Sequence, residues 1–411
     1  MTYESRLHIP GASARPGEKP DFSYLNLQPA GSAKKPPMDS RAADIEELSQ
    51  GLVRVLDDEY KAVGPWNPNL APADLLDALK WMLLTRCFDE QMWRIQRQGK
   101  ISFYISSTGE EAISIAQGMA LRPGDMCFPS YRNQGLFLYR GLTVTEMMCQ
   151  CLSNTRDMCR GRQLPIMYHS RKGNIFSISG NLATQFPQAV GWGMAAALKG
   201  EDHIACSWVG DGSTAEADFH YALSFAAIYQ APVILNVVNN QWAISTFQGV
   251  AGGEQRPFAA RGLGVGLPGI RVDGNDLLAI YAVTQWAAER ARAGSGPTLI
   301  EMVTYRGGAH STSDDPSKYR PKDEWAAFPL GDPLERLKQH LIALGHWTEQ
   351  AHEELKEELQ AEVVAAWKEA RQHGTMTDAP FLDPSSMFDD VLAKPTPHLE
   401  AQRQKMLELE Q

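Results

Sequence analysis

The chain has 411 residues, of which 43% are hydrophobic, and carries 39 Lys and Arg against 49 Asp and Glu, a formal net charge of -10. That length exceeds one typical domain and permits a large core. The acidic balance argues against a nucleic-acid binder or a binder of anionic membranes, since both need a basic face.

No uncharged apolar run approaches the roughly 18 residues needed to cross a bilayer, and the N-terminus lacks the charged-then-apolar pattern of a secretory signal. The expectation is a cytoplasmic protein, bacterial rather than from a mitochondrial matrix. Cys87, Cys127, Cys149, Cys151, Cys159 and Cys206 form no CxxC pair, so zinc and redox chemistry have little support. Cys149 and Cys151 alternate inside a helical pattern and are expected to be small buried side chains.

Residues 1–38 are rich in Pro, Gly, Ser and Ala and have little apolar periodicity, which predicts an extended arm that gains order by lying on another surface. Glu4, Glu18 and Asp21 make it a poor transit peptide. Residues 39–330 form the main domain. Helical spacing begins after Asp39 and Ser40, either of which can cap DSRAADIEELSQGLVRVL, and returns in PADLLDALKWMLLTRCFDEQMWRIQRQGK, where Pro72 suits a first turn. GEEAISIAQGMAL reads as another helix.

Between about Asp202 and Tyr305 strands and helices alternate: HIACSWV, AEADFHYALSFAAIY, PVILNVV, NDLLAIYAVTQWAAERARAG and TLIEMVTY. Such alternation implies right-handed crossovers and a parallel sheet covered on both faces. Residues 331–411 are helical and highly charged, and AHEELKEELQAEVVAAWKEARQ reads as a solvated amphipathic face.

In a parallel sheet, ligands bind where loops leave the carboxyl ends of the strands. Asp211, in WVGDGST, lies in one such loop, and Asn239 and Asn240 end the next strand. A carboxylate, an amide oxygen and a backbone carbonyl fill half of a magnesium shell, and a diphosphate is the natural remainder. Gly210 and Gly212 admit that anion, and the helix starting near Ala215 favours it. A bare GDG is most often an ordinary turn; GDG followed, after a helix and a strand, by NN is far more specific. Arg132 offers a planar fork of donors for diphosphate oxygens, Tyr131 a hydroxyl, and His310 an imidazole that donates to phosphate or to a developing oxyanion near neutral pH.

Gly210 to Asn240 resembles the thiamine diphosphate motif of transketolase-like enzymes and 2-oxo acid dehydrogenases. With PSYRNQG at 129–135, SISGNLATQFPQAVG at 177–191, NNQWAIST at 239–246 and YRGGAHSTSDDPSKYR at 305–320, the chain resembles the alpha subunits of branched-chain 2-oxo acid dehydrogenases across most of residues 70–330. That resemblance implies an α/β, transketolase-like thiamine diphosphate-binding fold: a parallel sheet flanked by helices, with an N-terminal arm and C-terminal helices. It implies magnesium ligands at Asp211, Asn240 and the backbone carbonyl of Trp242. Cofactor contacts are implied at Tyr131, Arg132, Gly180, Leu182, Gly210, Asp211, Gly212, Ser213, Arg306 and His310, with His310 and Ser311 in the catalytic loop. Ser311 matches a position phosphorylated in mitochondrial relatives, where a phosphate would repel the cofactor's own. Ser179, Asn181, Thr184 and Gln185 match a potassium site, with Asn181 in place of the usual proline. Val238 replaces an arginine, and Gln241 and Trp242 replace a common Gly-Tyr pair.

The implied reaction is decarboxylation of branched-chain 2-oxo acids from Val, Leu and Ile, with transfer of the acyl group to the lipoyl group of an acyltransferase partner. A pyruvate or acetoin dehydrogenase alpha subunit is the nearer alternative, and a structural subunit without cofactor is one of a different class. Only the diphosphate-binding half of the machinery is present, which implies a beta subunit and a heterotetramer of two alpha and two beta chains.

Overall fold

The three apolar runs read as strands form the centre of a five-stranded sheet in a computed structural model that describes residues 7–409. The strands are β1 (Met126–Phe128), β2 (Ala205–Gly210), β3 (Val233–Asn239), β6 (Gly269–Asp273) and β7 (Thr298–Val303), in the order β1-β2-β3-β7-β6. Every pair is parallel. A short hairpin of β4 (Trp242–Ala243) and β5 (Thr246–Phe247) follows β3.

The helices are α1 (Glu47–Gln50), α2 (Pro72–Arg97), α3 (Glu111–Ala120), α4 (Gln134–Tyr139), α5 (Val144–Leu152), α6 (Gln185–Leu198), α7 (Ala217–Tyr229), α8 (Leu277–Arg292), α9 (Pro333–Ala343), α10 (Glu349–Arg371) and α11 (Pro397–Leu409). Strand alternation divides them between two faces. Val233, Leu235 and Val237 of β3 join Phe186 of α6 and Phe219 and Leu223 of α7 in one core. Ile234 and Val238 face the other way, into a larger core with Met82 and Phe88 of α2, Ile115 of α3 and Val283 of α8. Burial on both sides is why β3 reads as a continuous apolar run. The polar residue within it, Asn236, is satisfied: its Oδ1 accepts from Gln117 at 2.8 Å and its amide donates to the Ser207 carbonyl at 2.8 Å.

Leu337 and Leu341 of α9 and Leu359 and Val363 of α10 enter the larger core. Most of α10's charged residues stay outside it, as expected of an amphipathic run. Helix α11 buries no residue. Among the described residues no helix is long and apolar enough to cross a membrane. All six cysteines are buried free thiols.

The helix expected over 39–56 is corrected. A 3₁₀ turn at Ala42–Ile45 and the single turn of α1 stop at Gly51, and neither Asp39 nor Ser40 caps them; Arg41 holds the cap position without a side-chain capping bond. The chain then extends, and Val53 bridges to Val272 beside β6. The Asp276 carboxylate captures the Val55 and Leu56 N–H groups at 2.8 and 2.6 Å, which outweighs weak local helicity. Strands β1 and β6 are additions to the expected set. β6 was hidden by its charges: Arg271 lies 3.6 Å from Glu301, and Asp273 accepts from Arg336 at 2.7 Å.

Residues 7–38 contain no helix or strand and lie on this chain's own surface; Met1–Arg6 of the expected arm lie outside the described residues. Phe22, Tyr24 and Leu25 pack on Trp242, Phe247, Tyr305 and Phe328. The Trp66 and Trp286 indoles donate to the Lys34 and Pro36 carbonyls at 3.1 and 3.0 Å.

Candidate active site

Parallel pairing sets Gly210 opposite Val238, so Asp211 and Asn240 leave adjacent strand ends, and the Asp211 N–H donates to the Val238 carbonyl at 3.2 Å. Asp211 is 2% exposed. Its Oδ1 accepts from the Gly212 N–H at 2.9 Å, while its Oδ2 is buried with no hydrogen-bond partner among the described residues. Burial pushes this carboxyl up to about 7. A buried acceptor left without a partner is costly, and a cation removes the cost.

Asn240, also buried, donates its amide to Glu110 at 2.7 Å, so its Oδ1 is the free face, carrying only a 3.3 Å bond from the Trp242 N–H. The Trp242 carbonyl accepts from Arg306 at 2.9 Å. A carbonyl has two lone pairs, so one remains. Among the described residues no group of three or more His, Cys, Asp or Glu is placed to hold a metal, and a ligand set of Asp211, Asn240 and the Trp242 carbonyl needs only one carboxylate. The residues therefore fit a hard cation whose remaining ligands come from a diphosphate and water.

Gly210 and Gly212 differ in role. A Cβ at 210 would meet no atom within 4 Å, leaving the cleft open there. At 212 it would lie 2.4 Å from the Ala243 Cβ, so Gly212 is required by the close approach of the hairpin. The chain makes a 3₁₀ turn over Gly212–Ala215, containing Ser213, before α7 starts at Ala217.

Positive charge gathers on the same side. Arg132 is buried and donates to the Ser106 carbonyl at 2.6 Å and to the His310 carbonyl at 2.8 Å. Its Nη2 also lies 3.1 Å from His310 Nδ1. Because guanidinium only donates, Nδ1 accepts, and the imidazole is neutral with its proton on Nε2. Burial, then Arg132 and Arg306, press His310 down to about 3. Arg306 is itself lowered to about 10, by burial first and then by Arg132. The Tyr131 ring stands edge-on to His310 at 6.0 Å.

The loop bearing His310 is tied down by its own residues. Asp314 accepts from the His310 N–H at 2.7 Å and from the Tyr319 hydroxyl at 2.6 Å, and Arg320 holds the Arg306 and Gly308 carbonyls. Ser311 is buried, its Oγ accepting from the Ser313 N–H at 3.2 Å. On the far wall, Ser179 Oγ accepts from the Asn181 N–H and the Thr184 hydroxyl, each at 3.1 Å. Gln185 donates to the Trp208 carbonyl at 2.7 Å, and its Oε1 is buried without a hydrogen-bond partner among the described residues. Gly180 and Leu182 are exposed at the rim.

Glu110 was missed. It is buried, its carboxyl raised chiefly by burial, and it lies 3.8 Å from Arg132 Nε as well as against Asn240. The doubled glutamate opening GEEAISIAQGMAL was the available signal, and the helical reading absorbed it. Its neighbour Glu111 faces Arg86 instead, inside the framework.

The doubly covered parallel sheet, with its polar cleft at the carboxyl ends, is the transketolase-like thiamine diphosphate-binding fold. The model of the dehydrogenase E1 component family matches residues 79–378, and that of the 2-oxoisovalerate dehydrogenase E1 alpha subunit N-terminal region matches residues 4–43. The chain belongs to the dehydrogenase E1 component family, which is thiamine diphosphate-dependent. It is 59% identical to 2-oxoisovalerate dehydrogenase subunit alpha of Pseudomonas aeruginosa, over 98% of both chains. It is also similar to the mitochondrial subunit alpha proteins of Dictyostelium discoideum, 38% identical over 89% of this chain and 82% of that one, and of Homo sapiens, 35% identical over 97% and 91%.

Proposed function

We propose that this chain is the alpha subunit of a dehydrogenase that decarboxylates branched-chain 2-oxo acids derived from Val, Leu and Ile and passes the acyl group to the lipoyl group of an acyltransferase partner. The observation that carries the reading is the buried, unpartnered Asp211 Oδ2 beside Asn240, in a chain this similar to 2-oxoisovalerate dehydrogenase alpha subunits.

In this reading Asp211, Asn240 and the Trp242 carbonyl hold magnesium. Tyr131, Arg132, Arg306 and His310 receive the diphosphate, with Gly180, Leu182, Gly210, Gly212 and Ser213 around it. Thiamine diphosphate supplies the electron sink for decarboxylation. His310 acts as a neutral donor at Nε2, its tautomer fixed by Arg132. Ser311 is the site where a phosphate would add charge beside that loop, which must open to expose the buried hydroxyl. A potassium ion at Ser179, Asn181, Thr184 and Gln185 is supported by the unpartnered Gln185 Oε1.

The site for the cofactor's reactive ring is completed by a beta subunit in a heterotetramer, in the cytoplasm of a bacterium. Residues 1–38 serve as the arm, 39–330 as the diphosphate-binding unit and 331–411 as its helical extension.

The test is to assemble the chain with its beta subunit and compare decarboxylation of 3-methyl-2-oxobutanoate, pyruvate and acetoin. Preference for 3-methyl-2-oxobutanoate is expected, with no turnover by the isolated chain. Preference for pyruvate or acetoin would replace the substrate assignment, and full turnover by the lone chain would remove the partner.

A further inference from the structure

Gln241 stands between the two proposed cation ligands Asn240 and Trp242, fully buried, with a backbone φ of +75°. Side chains other than glycine's rarely adopt that conformation. Something must hold Gln241 there, and its amide shows what. Its Nε2 donates to the Asn239 carbonyl at 3.0 Å and to the Thr304 carbonyl at 3.2 Å, binding the end of β3 to the end of β7. Both partners are acceptors, so the amide has one orientation, and Oε1 points the other way. There it accepts from the Tyr24 hydroxyl of the N-terminal arm at 3.0 Å.

The Tyr24 ring is held as well. It meets Phe247 edge-on at 5.3 Å, and Phe247 pairs with Trp242 across the hairpin. Beside it Phe22 packs edge-on against Tyr305 at 5.9 Å and Phe328 at 5.4 Å, anchoring this stretch of arm on the loop after β7. One arm residue thus touches the cation loop on both sides, by hydroxyl at Gln241 and by ring at Phe247.

We propose that Tyr24 is a positioning residue for the cation site, acting through Gln241 on Asn240 and the Trp242 carbonyl. This rests on the proposed function above. Without the hydroxyl, Gln241 Oε1 is a buried acceptor with no donor, and the amide loses the contact that holds its bonds to Asn239 and Thr304 in register. Groups that orient metal ligands affect affinity before they affect chemistry. The arm is therefore part of the cofactor site.

The experiment is calorimetry of thiamine diphosphate binding, at a series of Mg2+ concentrations, on the chain assembled with its beta subunit. Tyr24→Phe keeps the ring contacts and removes only the hydroxyl. We expect about tenfold weaker binding, a small fall in melting temperature from the buried acceptor left without a donor, and turnover recovered at saturating cofactor and Mg2+. Gln241→Gly removes the amide while suiting the backbone. In that background Tyr24→Phe is expected to change affinity by less than about twofold, since the coupled pair is already gone. Wild-type affinity in Tyr24→Phe, or an equal loss in both backgrounds, overturns the inference while leaving the functional reading intact. A wild-type complex that binds no thiamine diphosphate overturns both.

Discussion

Two Asp-Gly pairs sit at carboxyl ends of the same sheet, Asp211-Gly212 after β2 and Asp273-Gly274 at the end of β6, and their aspartates have opposite fates. Both are buried. Asp273 accepts from the Asn275 N–H at 2.9 Å and from Arg336 at 2.7 Å, with Arg54 3.5 Å away. Asp211 has a backbone donor on one oxygen and, among the described residues, no hydrogen-bond partner on the other. The same dipeptide at the same kind of strand end is structural where its charge is matched within the chain, and is left open for the proposed cation where it is not.

The contrast can be broken most forcefully at Asp273. Asp273→Ala leaves Arg336 buried without its closest partner, so the chain should lose roughly 3–5 kcal/mol of stability in denaturant unfolding. Stability within experimental error of wild type would show that the pair is not framework. At Asp211 the expected loss is of ligand instead: Asp211→Asn should weaken Mg2+-dependent thiamine diphosphate binding more than ~100-fold, beyond what removing an outer-shell partner costs. The melting temperature of the cation-free chain should hold or rise, and calorimetry with unchanged affinity would count decisively against the ligand set.

His310→Ala sharpens the division between holding the cofactor and using it. Magnesium and thiamine diphosphate should be retained while reductive acylation falls roughly 100-fold, as for the loss of a positioned proton donor. Near wild-type turnover would take His310 out of the mechanism.

The smallest effect is on pH. The Asp211 carboxyl, raised to about 7, must lose its proton before a cation binds. Cofactor affinity should fall about tenfold per pH unit below pH 7 and level off above it. In the cation-free chain the folded state keeps a proton that the unfolded state releases. This group's contribution to stability is therefore fully present below about pH 4 and is lost as pH rises toward 7. Asn at 211 should abolish both trends, and a persistent slope in either would assign it to another group.

The central strands, the helices between them and the long α2 were legible because each depends on a local periodicity. Asp211, Asn240, Arg132, Arg306 and His310 could be proposed from the sequence because fixed spacings carry their motifs, and in the folded chain Arg132 meets His310 while Arg306 meets the Trp242 carbonyl next to Asn240. Less legible were residues whose meaning depends on a distant partner. Glu110 reads as helix surface until Asn240, 130 residues away, donates to it. Gln241 reads as a departure from Gly until Tyr24, 217 residues away, accounts for its amide.

The sequence by itself determined the alternation of strand and helix and the residue types available for a cation and a diphosphate, because these follow from short-range patterns of hydrophobicity and chemistry. Tertiary structure alone decided that residues 52–56 leave a helix for the sheet edge, that charged β6 is a buried strand, and which of two aspartates keeps an oxygen free. The physical reason is that burial makes a polar group costly until it is matched, and the match comes from segments far away in the chain.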